Sequence, residues 1–506
     1  LSPVTRERTI RLSRGTGLDT TNASWKREII EGIDITPMTA GRFVVEDLAQ
    51  FVLAATPADM PGDVAVFMRR NILDSVGCAI AALDGDVLRA VRDQIEVTAS
   101  APSASMVGGG QTSVAQATLF NSVAVRYVDQ LDTYLTPGGL CHPADNFGAL
   151  LAVAESVGAT SAEFVLSLAV AYEVECRFSA SVPVMAHGLN HALQLAISVA
   201  AGAAKLMRLS AEQTANAMAI AVADNVSLSA VHSEPVSNWK GVSPGVTAQR
   251  AVYTTALAQR GLTGPRAIFE GPNGLERLFG QHIDFRLDDP TLAVVRETHL
   301  KKYCALIHGQ APIETALRLA EEHNIDYREI EAIELETFQT AYDIAGGGSF
   351  GSKDAPQTKE QADYNLKYLL AAAFIDQQVG LEQLRTERIR RADVQQLLRK
   401  VAVRPSAAMT SAYPQTTPAR VSVVLRDGRS VTREQEDFEG APTRPLTWSR
   451  TVEKFHWLAE QYADDNLRDA IVHTVSRLGD EPVSTLTALL TEVSRQPRLP
   501  KTRQAI

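Results

Sequence analysis

The chain has 506 residues, 45% of them hydrophobic, and its 49 Lys and Arg against 59 Asp and Glu give a formal net charge of −10. This length exceeds one ordinary domain, and no stretch reaches the ~18 uncharged apolar residues of a membrane span. The negative balance gives no general attraction for nucleic acid or anionic lipid, so an anionic substrate must be held by a local cationic pocket.

Residues 1–37 carry Arg6, Arg8, Arg11 and Arg14 without an apolar core. They do not resemble a secretory signal and are expected to form a flexible tail. From 38 to 296 the pattern is helical. In 69–83 the apolar positions Ile72, Leu73, Val76, Ala79, Ile80 and Leu83 recur at threes and fours, the spacing of one helical face. Similar periods run through 148–157, 162–176, 192–206 and 211–229, with many small residues, which predicts closely packed helices in a large bundle.

The character changes in 297–440. Ile333, Leu335 and Thr337 alternate with charges, which reads as a half-exposed strand. Residues 401–403 read as another strand, and 420–434 as two strands joined at Asp427-Gly428, a pair favoured in type I′ turns. Helices are predicted between them at 312–323, 365–377 and 391–400. Strands mixed with helices indicate an α+β domain. Residues 441–506 return to helix and are expected to rejoin the first domain. The predicted fold is therefore mainly α with an inserted α+β domain: a large all-helical domain and a smaller α+β lid.

Several motifs invite a chemical reading. Residues 346–351 (GGGSFG) formally match G-x-G-x-x-G, but no strand–turn–helix unit surrounds them, and a mobile surface loop is expected instead of a dinucleotide site. Cys78, Cys141, Cys176 and Cys304 are scattered, without the close pairs of a zinc ribbon or a contiguous iron–sulfur signature. His187 and His191 have a spacing that suits two metal ligands on one helix, yet Gly188 weakens the helix and a proton-transfer histidine is the better reading. Asp129, Asp132 and Thr133 precede the loop leading to His142, and Asp145 and Asn146 follow it; spacing alone leaves chemistry and loop capping evenly matched. Lys240 (in SNWKG), Lys301 and His308 stand at predicted helix–loop junctions, where functional groups are often presented.

Taken in order, ILDSVGCAIAAL (72–83), VDQLDTY (128–134), HPADN (142–146), HGLNH (187–191), SNWKG (237–241), LKKYCALIHGQAPIE (300–314) and QTKEQADYNLKYLLAAAFID (357–376) closely resemble the MmgE/PrpD family. The resemblance spans roughly residues 40–500. It implies a helical domain interrupted by an α+β lid, a cytoplasmic homodimer, and a lyase that uses neither metal nor cofactor on a small tri- or dicarboxylate. The family includes 2-methylcitrate dehydratases of propionate catabolism, cis-aconitate decarboxylases and an iminodisuccinate epimerase. The form of HPADN, HGQAPIE and TKEQADYNLKY is more similar to the dehydratases. By resemblance, Asp129 and Thr133 match an Asp/Thr pair, His142 and His191 two histidines, Lys240 and Lys301 two lysines, and Tyr368 a tyrosine of the decarboxylase pocket.

Dehydrating a hydroxy-tricarboxylate requires removal of a proton beside a carboxylate and departure of hydroxide as water. On this reading the lysines stabilise the developing charge. His142 donates the proton and His191 accepts one, with the two roles exchangeable. Asp129 orients or charge-stabilises a histidine, and Tyr368 binds a carboxylate or passes a proton. Activity is expected to survive aerobic purification and exhaustive chelation, given the scattered cysteines. Stoichiometric iron whose removal abolishes turnover would contradict that expectation.

Overall fold

A computed structural model describes residues 42–498 except 99, 138, 286 and 288–290. The tail expected at 1–37 lies outside the described residues. Helices dominate the first half: α1 (Gly62–Ala81), α2 (Val114–Tyr127), α3 (Asp145–Ser156), α4 (Ser161–Ser181), α5 (Ala192–Leu206), α6 (Ala211–Asp224) and α7 (Trp239–Gln259). Thr160 and Glu163 form a capping box that starts α4, and Ser210 and Gln213 do the same for α6, each satisfying backbone N–H groups left open at a helix start.

Helix α2 packs against α1, α3 and α7, while α5 packs against α4, α6 and α7. Small residues set these distances. A Cβ at Gly148 of α3 would lie 2.4 Å from the Ser122 backbone nitrogen of α2, and one at Gly245 of α7 would lie 2.6 Å from Val123. The Ala- and Gly-rich sequence is thus what lets the helices approach so closely. Between α2 and α3 a short ribbon, β1 (Tyr134–Thr136) with β2 (Gly139–Cys141), leads directly into His142.

The second half holds α8 (Gln310–His323), β3 (Ile330–Thr337), α9 (Leu366–Asp376), β4 (Val401–Pro405), β5 (Ala419–Leu425) and β6 (Ser430–Gln435). The sheet order is β4-β3-β5-β6, with β3 and β4 parallel and the other pairs antiparallel. Ile333 and Leu335 face inward on β3 as their alternation predicts, and α8 and α9 cover the sheet. The hairpin at Asp427-Gly428 forms, but only Gly428 has positive φ (85°), and four residues separate Leu425 from Ser430. It is therefore not the expected type I′ turn, which needs positive φ at both central residues.

Helices α10 (Trp448–Ala459), α11 (Asp465–Ser476) and α12 (Ser484–Glu492) follow, and α10 lies along α1. The described part is thus mainly helical, with a smaller α+β region toward the C-terminal side.

Candidate active site

The loop Asp129–Thr133, between α2 and β1, is held from three sides. Asp132 accepts hydrogen bonds from Tyr172 of α4 (2.7 Å), Asn71 of α1 (2.9 Å) and the Ala144 amide (2.9 Å). Lys454 of α10 pairs with Asp74 of α1 at 2.5 Å and donates to the carbonyls of Gln130 (2.9 Å) and Lys301 (2.7 Å). Four separate chain segments thus fix the positions of Asp129, His142 and Lys301. Rigid support of this kind is what a catalytic geometry needs.

Asp129 has φ of 50°, a left-handed conformation that is costly for a non-glycine residue. The surrounding ion pairs compensate. Its carboxylate accepts from Lys301 (2.6 Å) and Lys240 (3.0 Å), and its carbonyl also accepts from Lys301 (3.1 Å). Burial alone raises the pKa of such a carboxyl, but Lys240, Lys301 and Arg126 outweigh it and hold Asp129 well below the usual range. Asp129 therefore bridges the two lysines, and its charge also favours the protonated forms of His142 and His191.

Lys240 stands in the first turn of α7 and is 3% exposed. Besides Asp129 it donates to Asp363 (2.8 Å), and its ammonium lies 3.8 Å from the centre of the Tyr364 ring. Lys359 holds the other oxygen of Asp363 at 2.8 Å. The result is a buried chain of alternating charge: Lys359, Asp363, Lys240, Asp129, Lys301.

His142 donates from Nδ1 to the Asp132 carbonyl (2.8 Å), with the Thr133 hydroxyl 3.1 Å away. A carbonyl can only accept, so the neutral ring carries its proton on Nδ1 and leaves a lone pair on Nε2. Burial, Arg126 and Lys301 hold its pKa well below 6.5. His191 immediately precedes α5; its Nε2 is 3.7 Å from Asp145, which Arg126 approaches at 3.4 Å. Burial lowers the pKa of His191 while Asp145 opposes the shift. This asymmetry reverses the expected roles: a neutral imidazole with a free lone pair suits a base, and one beside a carboxylate suits a donor.

His142, His191 and Lys301 border a narrow cleft, little of it wide enough for a water molecule. Its polar wall is formed by His142, His191, His232, His308, Lys301 and Tyr364. Its apolar wall is Leu140, Met185, Leu306, Ile307, Ile344 and Phe350. Both halves of the chain contribute to it.

The structure brings Asp129, Thr133, His142, His191, Lys240 and Lys301 together, with Asp129, Thr133 and Lys240 behind the wall. It separates His187, which is exposed beyond a turn at Gly188 with φ of 74°, and Lys302, which pairs with Glu439 at 2.8 Å.

Tyr368 is not at the cleft. Its hydroxyl donates to the Gln383 carbonyl, away from the histidines. The reason is the start of α9. The Asn365 side chain accepts from the Tyr368 amide at 3.0 Å, so the helix begins at Leu366 and Tyr364 stays outside it. Tyr364 takes the place at the cleft, and burial keeps its phenol protonated. Tyr368→Phe is therefore expected to leave kcat and KM near wild type and cost about 1–3 kcal/mol of stability through an unmet carbonyl. Tyr364→Phe should shift KM or kcat several-fold at little cost in stability, by steady-state kinetics and melting; the reverse pattern would restore Tyr368 to the site.

Phe350 lines the cleft, while Gly347 and Ser349 of the same loop are exposed as the surface-loop reading expects. The Phe350 carbonyl accepts from the Glu234 amide (3.0 Å), and Glu234 pairs with buried Lys353 at 2.6 Å. His232, Asp363 and Tyr364 were not singled out from the sequence, although Asp363 and Tyr364 lie within the 357–376 segment that carries the family resemblance.

Deeper in, Glu175 accepts from Asn146 (2.5 Å) and Ser198 (3.2 Å); burial, then Asp145, push its pKa up to about 8. Between its unfolded value near 4.5 and about 8, folding requires Glu175 to bind a proton. Wild-type stability then falls relative to Glu175→Gln as pH rises, by about 1.4 kcal/mol per pH unit, and the difference levels off above the folded pKa. Denaturant melts of both proteins between about pH 5 and 9 check this. A constant difference would place the proton elsewhere.

With this geometry established, sequence comparison is decisive. Residues 46–288 match the MmgE/PrpD N-terminal domain, and residues 303–478 match the MmgE/PrpD C-terminal domain. The chain belongs to the MmgE/PrpD family. Among curated relatives, the 2-methylcitrate dehydratase of Salmonella typhi is 24% identical over 361 residues, covering 68% of this chain and 74% of the relative. That of Escherichia coli strain K12 is 26% identical, covering 53% and 59% respectively. The cis-aconitate decarboxylase of Mus musculus is 23% identical, covering 83% and 88%. Among the described residues, no helix of this MmgE/PrpD chain is long and apolar enough to cross a membrane.

Proposed function

We propose that this chain is a hydro-lyase that removes water from a small tricarboxylic acid, as a 2-methylcitrate dehydratase does. That it is an enzyme of lyase type is supported by relatives named as dehydratases and a decarboxylase. The observation that carries the dehydratase reading is the pairing of two unlike imidazoles in one enclosed cleft. His142 presents a free lone pair, and His191 sits beside a carboxylate.

In the proposed step His142 Nε2 takes the proton beside a substrate carboxylate, and the C–H electron pair becomes the new C=C bond. The C–O bond breaks on the neighbouring carbon, and His191, which takes up a proton from solvent beside Asp145 as the anionic substrate binds, supplies the proton with which hydroxide leaves as water. Lys301 faces the carboxylate on which negative charge builds. Lys240 acts from behind, through Asp129 and Tyr364. Solvent exchange then returns a proton to His191 and removes one from His142.

Decarboxylation is the second reading, favoured by the coverage of the mouse relative. The same base and lysine then serve to protonate and stabilise a carbanion left by carbon dioxide. Assays on 2-methylcitrate, citrate, cis-aconitate and iminodisuccinate separate the readings. Alkene formation without carbon dioxide supports the dehydratase; carbon dioxide from cis-aconitate supports the decarboxylase; epimerisation of iminodisuccinate overturns both.

A further inference from the structure

The cleft is poor in free positive charge. Among the described residues Lys301 is the lysine or arginine on its wall, and Asp129 already holds that ammonium at 2.6 Å. Lys240 and Arg126 are buried against Asp129, Asp363 and Asp145. A tricarboxylate nevertheless brings three negative charges, and burying charge without a partner is prohibitive.

Two further imidazoles stand on the same wall. His232 ends the turn Ser229–His232, and His308 lies in the turn Ile307–Gly309. Both are almost wholly buried, and neither His232 Nδ1 nor His308 Nε2 has a hydrogen-bond partner. Buried polar atoms are seldom left unmatched without a ligand or a functional cause. The His232 ring is stacked on Tyr364, with centroids 5.6 Å apart, and faces His191 at 6.2 Å. Arg126 and Lys240 oppose its protonation and Asp129 favours it. His308 packs on the rings of Phe338 and Tyr413, with Lys301 and His299 as the charged or titratable groups that bear on it. In the free protein both rings are therefore neutral: burial dominates, and His308 is driven down to about 3.

We propose that His232 and His308 bind substrate carboxylates, each taking up a proton as the anion arrives. The inference rests on the polycarboxylate reading above. A carboxylate within hydrogen-bond distance favours the imidazolium and matches its bare nitrogen, so ligand charge and imidazole charge enter the cleft together. Substrate binding and proton binding are then linked, and each linked proton makes Kd rise ~10-fold per pH unit.

The test uses tricarballylate, a tricarboxylate with no hydroxyl to eliminate. Its binding is measured by calorimetry at about pH 8, where free carboxylates are ionised, in buffers of differing ionisation enthalpy. The expected result is proton uptake by the wild type that falls by about one proton in each of His232→Gln and His308→Gln. Binding to the wild type without proton uptake, or uptake unchanged in either folded variant, overturns the inference and leaves the hydro-lyase reading intact. No binding at any pH from about 5.5 to 8 overturns the tricarboxylate reading and this inference with it.

Discussion

Replacing His142 with Asn is expected to lower kcat by about 10²–10⁴, the usual contribution of a positioned base, while the protein still folds. An Asn amide can reproduce the Nδ1 donation to the Asp132 carbonyl that fixes the loop at 2.8 Å, but it offers no basic nitrogen in place of Nε2. The variant thus separates chemistry from architecture. Steady-state kinetics show the loss, and a melting temperature close to wild type shows that the loop survives. If His142 acted only through its fixed position, the Asn variant would keep most of its activity.

The two lysines are expected to differ from one another. Lys301 reaches the cleft wall, so Lys301→Met should lower kcat by roughly 10²–10³, as for loss of one electrostatic stabiliser. Lys240 lies behind Tyr364 and pairs with two buried carboxylates, at 3.0 and 2.8 Å. Removing one partner from a buried ion pair costs about 3–5 kcal/mol, so Lys240→Met should appear first as a loss of stability. The sequence context of Lys240, a predicted helix–loop junction, gives no sign of this burial. Melting and kinetics on both variants check the contrast. Equal effects on kcat with no loss of stability in Lys240→Met would place Lys240 in the cleft.

Much of this site was legible in order and spacing. HPADN and LKKY give His142 and Lys301, both of which line the cleft. The change from threefold and fourfold helical periods to alternation locates the sheet at 330–435. What could not be read was depth. SNWKG looks like a polar break, and only the packing of α7 on α2 shows that Lys240 is enclosed. The choice of tyrosine depended on where α9 begins, which the Asn365 cap decides, one residue after Tyr364. His232 is isolated in sequence, and Asp363, though it pairs locally with Lys359, meets Lys240 only through a long-range contact. The roles of His142 and His191 rested on surroundings that spacing does not show, a main-chain carbonyl bonded to one ring and a carboxylate 3.7 Å from the other.

The central claim is that His142 removes a proton from a tricarboxylate whose water then departs. Its most direct test is incubation of 2-methylcitrate with the purified wild type and with His142→Asn, following alkene absorbance and trapped carbon dioxide together. The account predicts alkene without carbon dioxide from the wild type, and a rate at least ~10²-fold lower from the folded variant. Alkene formation at the wild-type rate by His142→Asn would contradict it.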